Sequence, residues 1–157
     1  MNLNATADLA PPDTLQTGAR NDEALSATMS SGTVPTSFGV FKPVGSVMVG
    51  LPGATQADAA VLAFHHAGWP PASLLHFLPQ QSVVELEALV EGAGALAGFG
   101  YEITLLRRYL ALSRQGCHWL LVKVDGVEHA ATAAELARRC GAVLAVHYRL
   151  LTVDELL

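Results

Sequence analysis

The sequence predicts an α+β fold of the split βαβ type, with a four-stranded antiparallel sheet and a two-helix insert between strands 2 and 3. Three observations predict it. Gly116 to Leu151 reads as strand, helix, glycine stop, strand. Ser46 to Leu78 reads the same way, and the chain between them carries two further helical patterns around a run of glycines. The order is thus β-α-β, two helices, β-α-β. Right-handed crossovers make the two strands of each unit parallel and leave room between them for a strand from the other unit. Interleaving the units gives a ferredoxin-like sheet of order 4-1-3-2.

The elements follow in order. Residues 1–36 are rich in Ala, Thr, Ser, Asn, Asp and Pro and contain no aromatic residue. Such a segment buries too little apolar area to offset its ordering entropy, so a disordered or loosely attached arm is expected, with 37–157 as the folded domain. In the first strand, Val47, Val49 and Leu51 alternate with Met48 and Gly50, and Pro52-Gly53 ends it. Thr55 and Asp58 resemble a capping box. The helix that follows turns Ala57, Ala60, Val61 and Phe64 toward the sheet and stops at Gly68. Trp69-Pro-Pro leads to a second strand over Ser73 to Leu78.

The insert spans about residues 80–115. Ser82 and Glu85 form a second capping-box pattern, opening a helix to about Val90, with Leu86, Leu89 and Val90 on its apolar side. Gly92, Gly94, Gly98 and Gly100 then weaken any helix by about 1 kcal/mol each relative to alanine. They suit a bend or close backbone packing. The run does not meet the phosphate-loop or dinucleotide patterns, because no strand immediately precedes it and no Lys-Ser/Thr follows. Tyr101 to Gln115 is a helix whose apolar arc, built from Tyr101, Ile103, Leu105, Leu106, Leu110 and Leu112, covers about half the cylinder. Arg107, Arg108 and Arg114 fall on its other side as a solvated face.

The third strand, Cys117 to Val124, is apolar on both faces and is expected to be internal. Asp125 and Glu128 open the next helix, with Ala131, Ala134, Leu136 and Ala137 as its packing side and Gly141 as its stop. Ala142 to Leu151 is the fourth strand, and Thr152 to Leu157 is a short acidic end. The sheet face carrying Trp119 or Leu120 would be bare in a simple split βαβ domain, and an apolar face of that size needs a cover. The insert and a second copy of the chain are the expected covers.

Composition sets outer limits on function. A chain of 157 residues suits one domain. The net charge is −5, with no basic patch, so nucleic acid is not an expected partner. No apolar run approaches the ~18 residues of a membrane helix, and the start lacks a signal-peptide pattern, so a cytoplasmic protein with no membrane partner is expected. Cys117 and Cys140 stand apart as free thiols.

The stretches GSVMVGLPGATQADAAVLAFHHAGW and GAGALAGFGYEI, with the closing βαβ unit, resemble the general-stress-protein or heat-induced stress protein βαβ families. They are also similar to uncharacterised proteobacterial proteins with a GFGYE-type helix. The resemblance spans about residues 38–151 and implies a stress-related role, with no catalytic residue attached.

The chemistry-bearing residues point to no reaction. Glu102 lies within the apolar arc near Tyr109. It either answers the free N–H groups of the helix start or lines a small-ligand pocket with Tyr101, Tyr109, Gly98, Gly100 and His118. Of six histidines, His65 and His66 are adjacent and point apart. His76, His118 and His147 sit on different strands, and His76 and His118 would offer two metal ligands only as cross-strand neighbours. Neither a nucleophile elbow nor a cysteine–histidine dyad is present, since neighbours on a strand face apart. The expectation is therefore a non-enzymatic interaction or sensor module. It would act as a homo-oligomer, a dimer as first guess, and could dock a protein partner; catalytic residues, cofactors and metal ligands are not expected. The alternative is a ligand-binding protein or enzyme with a pocket between sheet and insert around Glu102.

Overall fold

Alternating apolar residues in the chain assemble into one antiparallel sheet, and the sheet orders everything else. The computed structural model describes residues 36–37, 40–41, 43–93, 100–150 and 152–157. The expected arm up to residue 35 and the expected bend at Gly94 and Gly98 lie outside the described residues.

The strands are β1 (Ser46–Leu51), β2 (Leu74–Phe77), β3 (His118–Lys123), β4 (Leu144–Tyr148) and β5 (Val153–Glu155). The helices are α1 (Ala54–His66), α2 (Pro79–Ala93), α3 (Gly100–Arg114) and α4 (Val127–Arg139). A two-residue ladder pairs Thr36–Ser37 with Val40–Phe41 ahead of them. The sheet has five strands in the order β2-β3-β1-β4-β5, and every neighbouring pair is antiparallel.

The fifth strand corrects the expectation of a four-stranded sheet. Val153 pairs with Tyr148, Asp154 with His147 and Glu155 with Val146. The segment expected to be a short acidic end therefore contains a strand. Arg149 N–H bonds to the Thr152 carbonyl at 2.8 Å, closing the turn that brings β5 back. Two acidic residues in three mask the strand's pattern, because an edge strand can point its charges to solvent.

Both sheet faces are covered. Val47, Val49, Leu51, Leu120 and Val122 pack with Ala57, Ala60 and Phe64 of α1 and with Ala130, Ala133, Ala134 and Ala137 of α4. Met48, Trp119, Leu121, Leu144, Val146 and Tyr148 pack with Leu86 of α2 and with Leu105, Leu106, Tyr109 and Leu110 of α3. The insert is thus the cover over Trp119. The α4 helix is turned slightly from expectation: Ala130 and Ala133 are buried, whereas Ala131 is exposed.

Helix ends follow backbone geometry more than side-chain caps. Gly68, Gly116 and Gly141 all have positive φ. After each, the next N–H reaches back five residues: Trp69 to Phe64, Cys117 to Leu112 and Ala142 to Ala137, each at 3.0 Å. This is the Schellman closure, and it needs a residue that tolerates the left-handed region. The starts differ from expectation. Helix α1 begins at Ala54 behind Gly53 with no side-chain cap, so Thr55 lies inside the first turn. Helix α2 begins at Pro79, before Ser82, and the Gln81 side chain accepts from the Leu78 N–H at 3.4 Å. Proline suits a first helical position because its missing N–H would be unsatisfied there anyway.

Candidate functional site

Among the described residues, polar groups gather in the layer between sheet and insert, at the histidine pair on β2 and β3, and along the open side of β2.

Beneath the insert, Tyr109 from α3 and Tyr148 from β4 share a hydroxyl–hydroxyl hydrogen bond of 2.8 Å, both buried. Burial pushes both phenols well above their usual range. The Trp119 indole donates to Ser113 Oγ at 2.8 Å and lies 4.6 Å from the Tyr109 ring, centroid to centroid. Among the described residues, every buried side-chain N or O has a partner. Beside this network a cavity of about 30 Å³ is lined by Met48, Phe77, Ser82, Glu85, Leu86, Leu89, Tyr109 and Trp119. That is room for a water or two, not for an organic substrate. Desolvation raises the pKa of Glu85 at its edge.

Among the described residues expected to line a ligand pocket, Gly100, Tyr101, Glu102 and Tyr109 share α3, and His118 lies on β3. Gly100 starts α3, Tyr101 is 55% exposed, and Glu102 is half-buried in the first turn of α3. The negative charge of Glu102 is felt by the Tyr148 phenol. Tyr109 lines the cavity; Gly98 lies outside the described residues. His118 belongs to the other face, because it alternates with Trp119 and shares its side of β3 with Leu120 and Val122. The carboxylate at the cavity is Glu85, which the sequence had suggested only as a helix-start residue. Its signal was helical spacing, with Ser82 three residues before and Leu89 four after, all now on the cavity wall.

The histidine pair is real. His76 Nε2 and His118 Nδ1 lie 3.0 Å apart in a cross-strand hydrogen bond. The β2–β3 register places His76 opposite Leu120, so His118 is its diagonal neighbour on the same face. Burial and the neighbouring His118 lower the pKa of His76, and Asp58 on α1 partly opposes this. Among the described residues, no three His, Cys, Asp or Glu side chains converge to hold a metal ion.

Strand β2 is an edge. Among the described residues it pairs only with β3. At its start, the insert helices leave a groove of about 260 Å³ uncovered, lined by Val44, Gly45, Ser46, Ala72, Ser73, Leu75, Leu121, Lys123 and Val124. Leu75 is 43% exposed and Val44 47%.

The solvated face of α3 is built from ion pairs: Arg108 to Glu155 at 2.7 Å and Arg114 to Glu87 at 2.8 Å. Cys117 is a buried free thiol whose pKa burial pushes up to about 11, which makes it a poor nucleophile.

Among the described residues, the fold and these sites define an α+β domain with a five-stranded antiparallel sheet held between two helix pairs, with β2 and β5 as its edges. No protein-family model, curated protein or solved structure matches the chain. No helix among the described residues is long and apolar enough to cross a membrane.

Proposed function

We propose that this domain is a non-enzymatic interaction module that self-associates through the free edge of β2. The observation that carries the reading is the join between that edge and the exposed apolar groove beside it. An incoming strand gains main-chain hydrogen bonds from the edge and a seat for an alternate side chain in the groove. A second copy of the chain is the occupant that fits best. The edge sequence Leu74-Leu75-His76-Phe77 carries no Lys, Asp, Glu or Pro, the residues that usually block edge-to-edge pairing. Two such strands, related by a twofold axis, pair antiparallel and place each Leu75 beside the other's groove.

The topology supports a ferredoxin-like reading. Without β5 the strand order runs β4-β1-β3-β2, with each crossover helix joining two strands that flank a third. A cytoplasmic setting accords with two free cysteines, and a stress-related role rests on sequence resemblance alone.

Sedimentation velocity over a range of concentrations tests the module. A reversible dimer that Leu75→Lys converts to monomer is the expected result. A wild-type chain that stays monomeric at high concentration overturns it. The ligand-pocket alternative has one supporting observation, the desolvated Glu85 carboxyl at the cavity between sheet and insert. It requires α2 to move outward, because the present space has room only for water.

A further inference from the structure

We propose that His76 and His118 form a binding site for one divalent transition-metal ion of the zinc, nickel and copper class, clamping edge strand β2 to internal strand β3. The site goes beyond the edge-pairing reading and does not depend on it.

The two ring nitrogens face each other at 3.0 Å, and the ring centroids are 5.2 Å apart. Only one proton fits between them, so in the neutral pair one nitrogen offers its lone pair to the other. A zinc–imidazole bond is about 2.0–2.1 Å long. Two such bonds to nitrogens at the observed separation subtend about 95°, and a tetrahedral angle needs a separation of about 3.4 Å. Side-chain rotation therefore has to open the pair by only about 0.4 Å and turn the two lone pairs toward a common point.

Both residues stand on paired strands, so their backbones are held in place before any ion arrives. Both rings are half-buried, so solvent can still reach the pair. The groups facing His76 are His118 from β3 and Asp58 from α1. Asp58 is not a third ligand; it supplies negative charge near the ion, and water fills the remaining positions. Imidazole nitrogen favours zinc, copper and nickel over the hard cations magnesium and calcium.

The full chain, free of any histidine tag, would be titrated with Zn²⁺ by calorimetry, with the imidazole nitrogens followed by ¹⁵N NMR. The expected result is one ion per chain, saturation below about 1 mM, and shifts at His76 Nε2 and His118 Nδ1. His76→Gln or His118→Gln should each weaken binding by at least about tenfold, and His129→Gln should change it less than about twofold. Near-UV circular dichroism checks that the variants fold, and the wild-type NMR shifts decide the question should neither variant fold. Absence of saturation, one ion per two chains, shifts at His65, His66 or His129 in place of the pair, or unchanged affinity in both glutamine variants would overturn the site.

Discussion

Gly50 shows how a single residue limits this core. A Cβ built there would lie 2.8 Å from Trp119 Cζ3 and 3.3 Å from Cys117 Sγ. The indole is fixed by its bond to Ser113, so it cannot yield cheaply. Gly50→Ala is expected to lower stability by about 1–3 kcal/mol in urea unfolding, with Trp119 fluorescence reporting the shift. The Tyr109–Tyr148 pair sets a second expectation. Tyr109→Phe removes one buried hydrogen bond and should cost about 1 kcal/mol, read from the same unfolding curves. The histidines set a third. Burial lowers the pKa of His147, with Arg149 adding to this and Asp154 opposing it; burial and His118 lower that of His76. The unfolded chain then binds these protons more tightly than the folded one. Their stabilising contribution is full above about pH 6.5 and is lost as pH falls through the lower folded values. The urea midpoint should therefore drop between pH 7.5 and pH 5.5, and the drop should shrink in His147→Gln. An equal drop in that variant would remove His147 from the account.

At the scale of elements, legibility tracked how local the deciding force was. The glycine stops at 68, 116 and 141 were readable because the Schellman closure is decided within six residues. The alternation of β1 and β3 was readable because both strands are buried on two faces. Helix starts were misread: Pro52-Gly53 and Pro79 impose the entry through the backbone, and the Ser/Thr patterns downstream are not used as caps. Trp69, which the sequence reading placed only in the connection from α1 to the second strand, is buried. Its indole donates to the Lys123 carbonyl at 3.1 Å and its ring stacks on His129 at 4.5 Å, contacts made across more than fifty residues of chain. The β5 strand was missed for a similar reason. Its stability comes from pairing with β4, from Leu156 N–H bonding to the Ala145 carbonyl, and from Arg108 of α3 meeting Glu155. Deleting residues 152–157 should cost about 2–4 kcal/mol, measured by thermal or urea unfolding. An unchanged midpoint would mean that β5 contributes nothing.

For the domain as a whole, the insert changes what the sheet can do. A bare second face would have made a broad apolar surface the natural interface. With α2 and α3 laid over Met48, Trp119 and Leu121, most of that face is closed, and the proposed association falls to edge strand β2 and the groove beside it. Alternation along β3 puts His118 and Tyr109 on opposite sides of the sheet, which helical spacing within α3 could not reveal. Self-association through β2 also separates this reading from a generic sticky surface, because it names which amides become protected. Hydrogen exchange measured at low and high protein concentration tests it most directly. Amides within residues 74–77 should gain protection as concentration rises, while β1 and β4 stay as slow as before. Protection at β2 that does not depend on concentration, or that appears instead along β5, would contradict it.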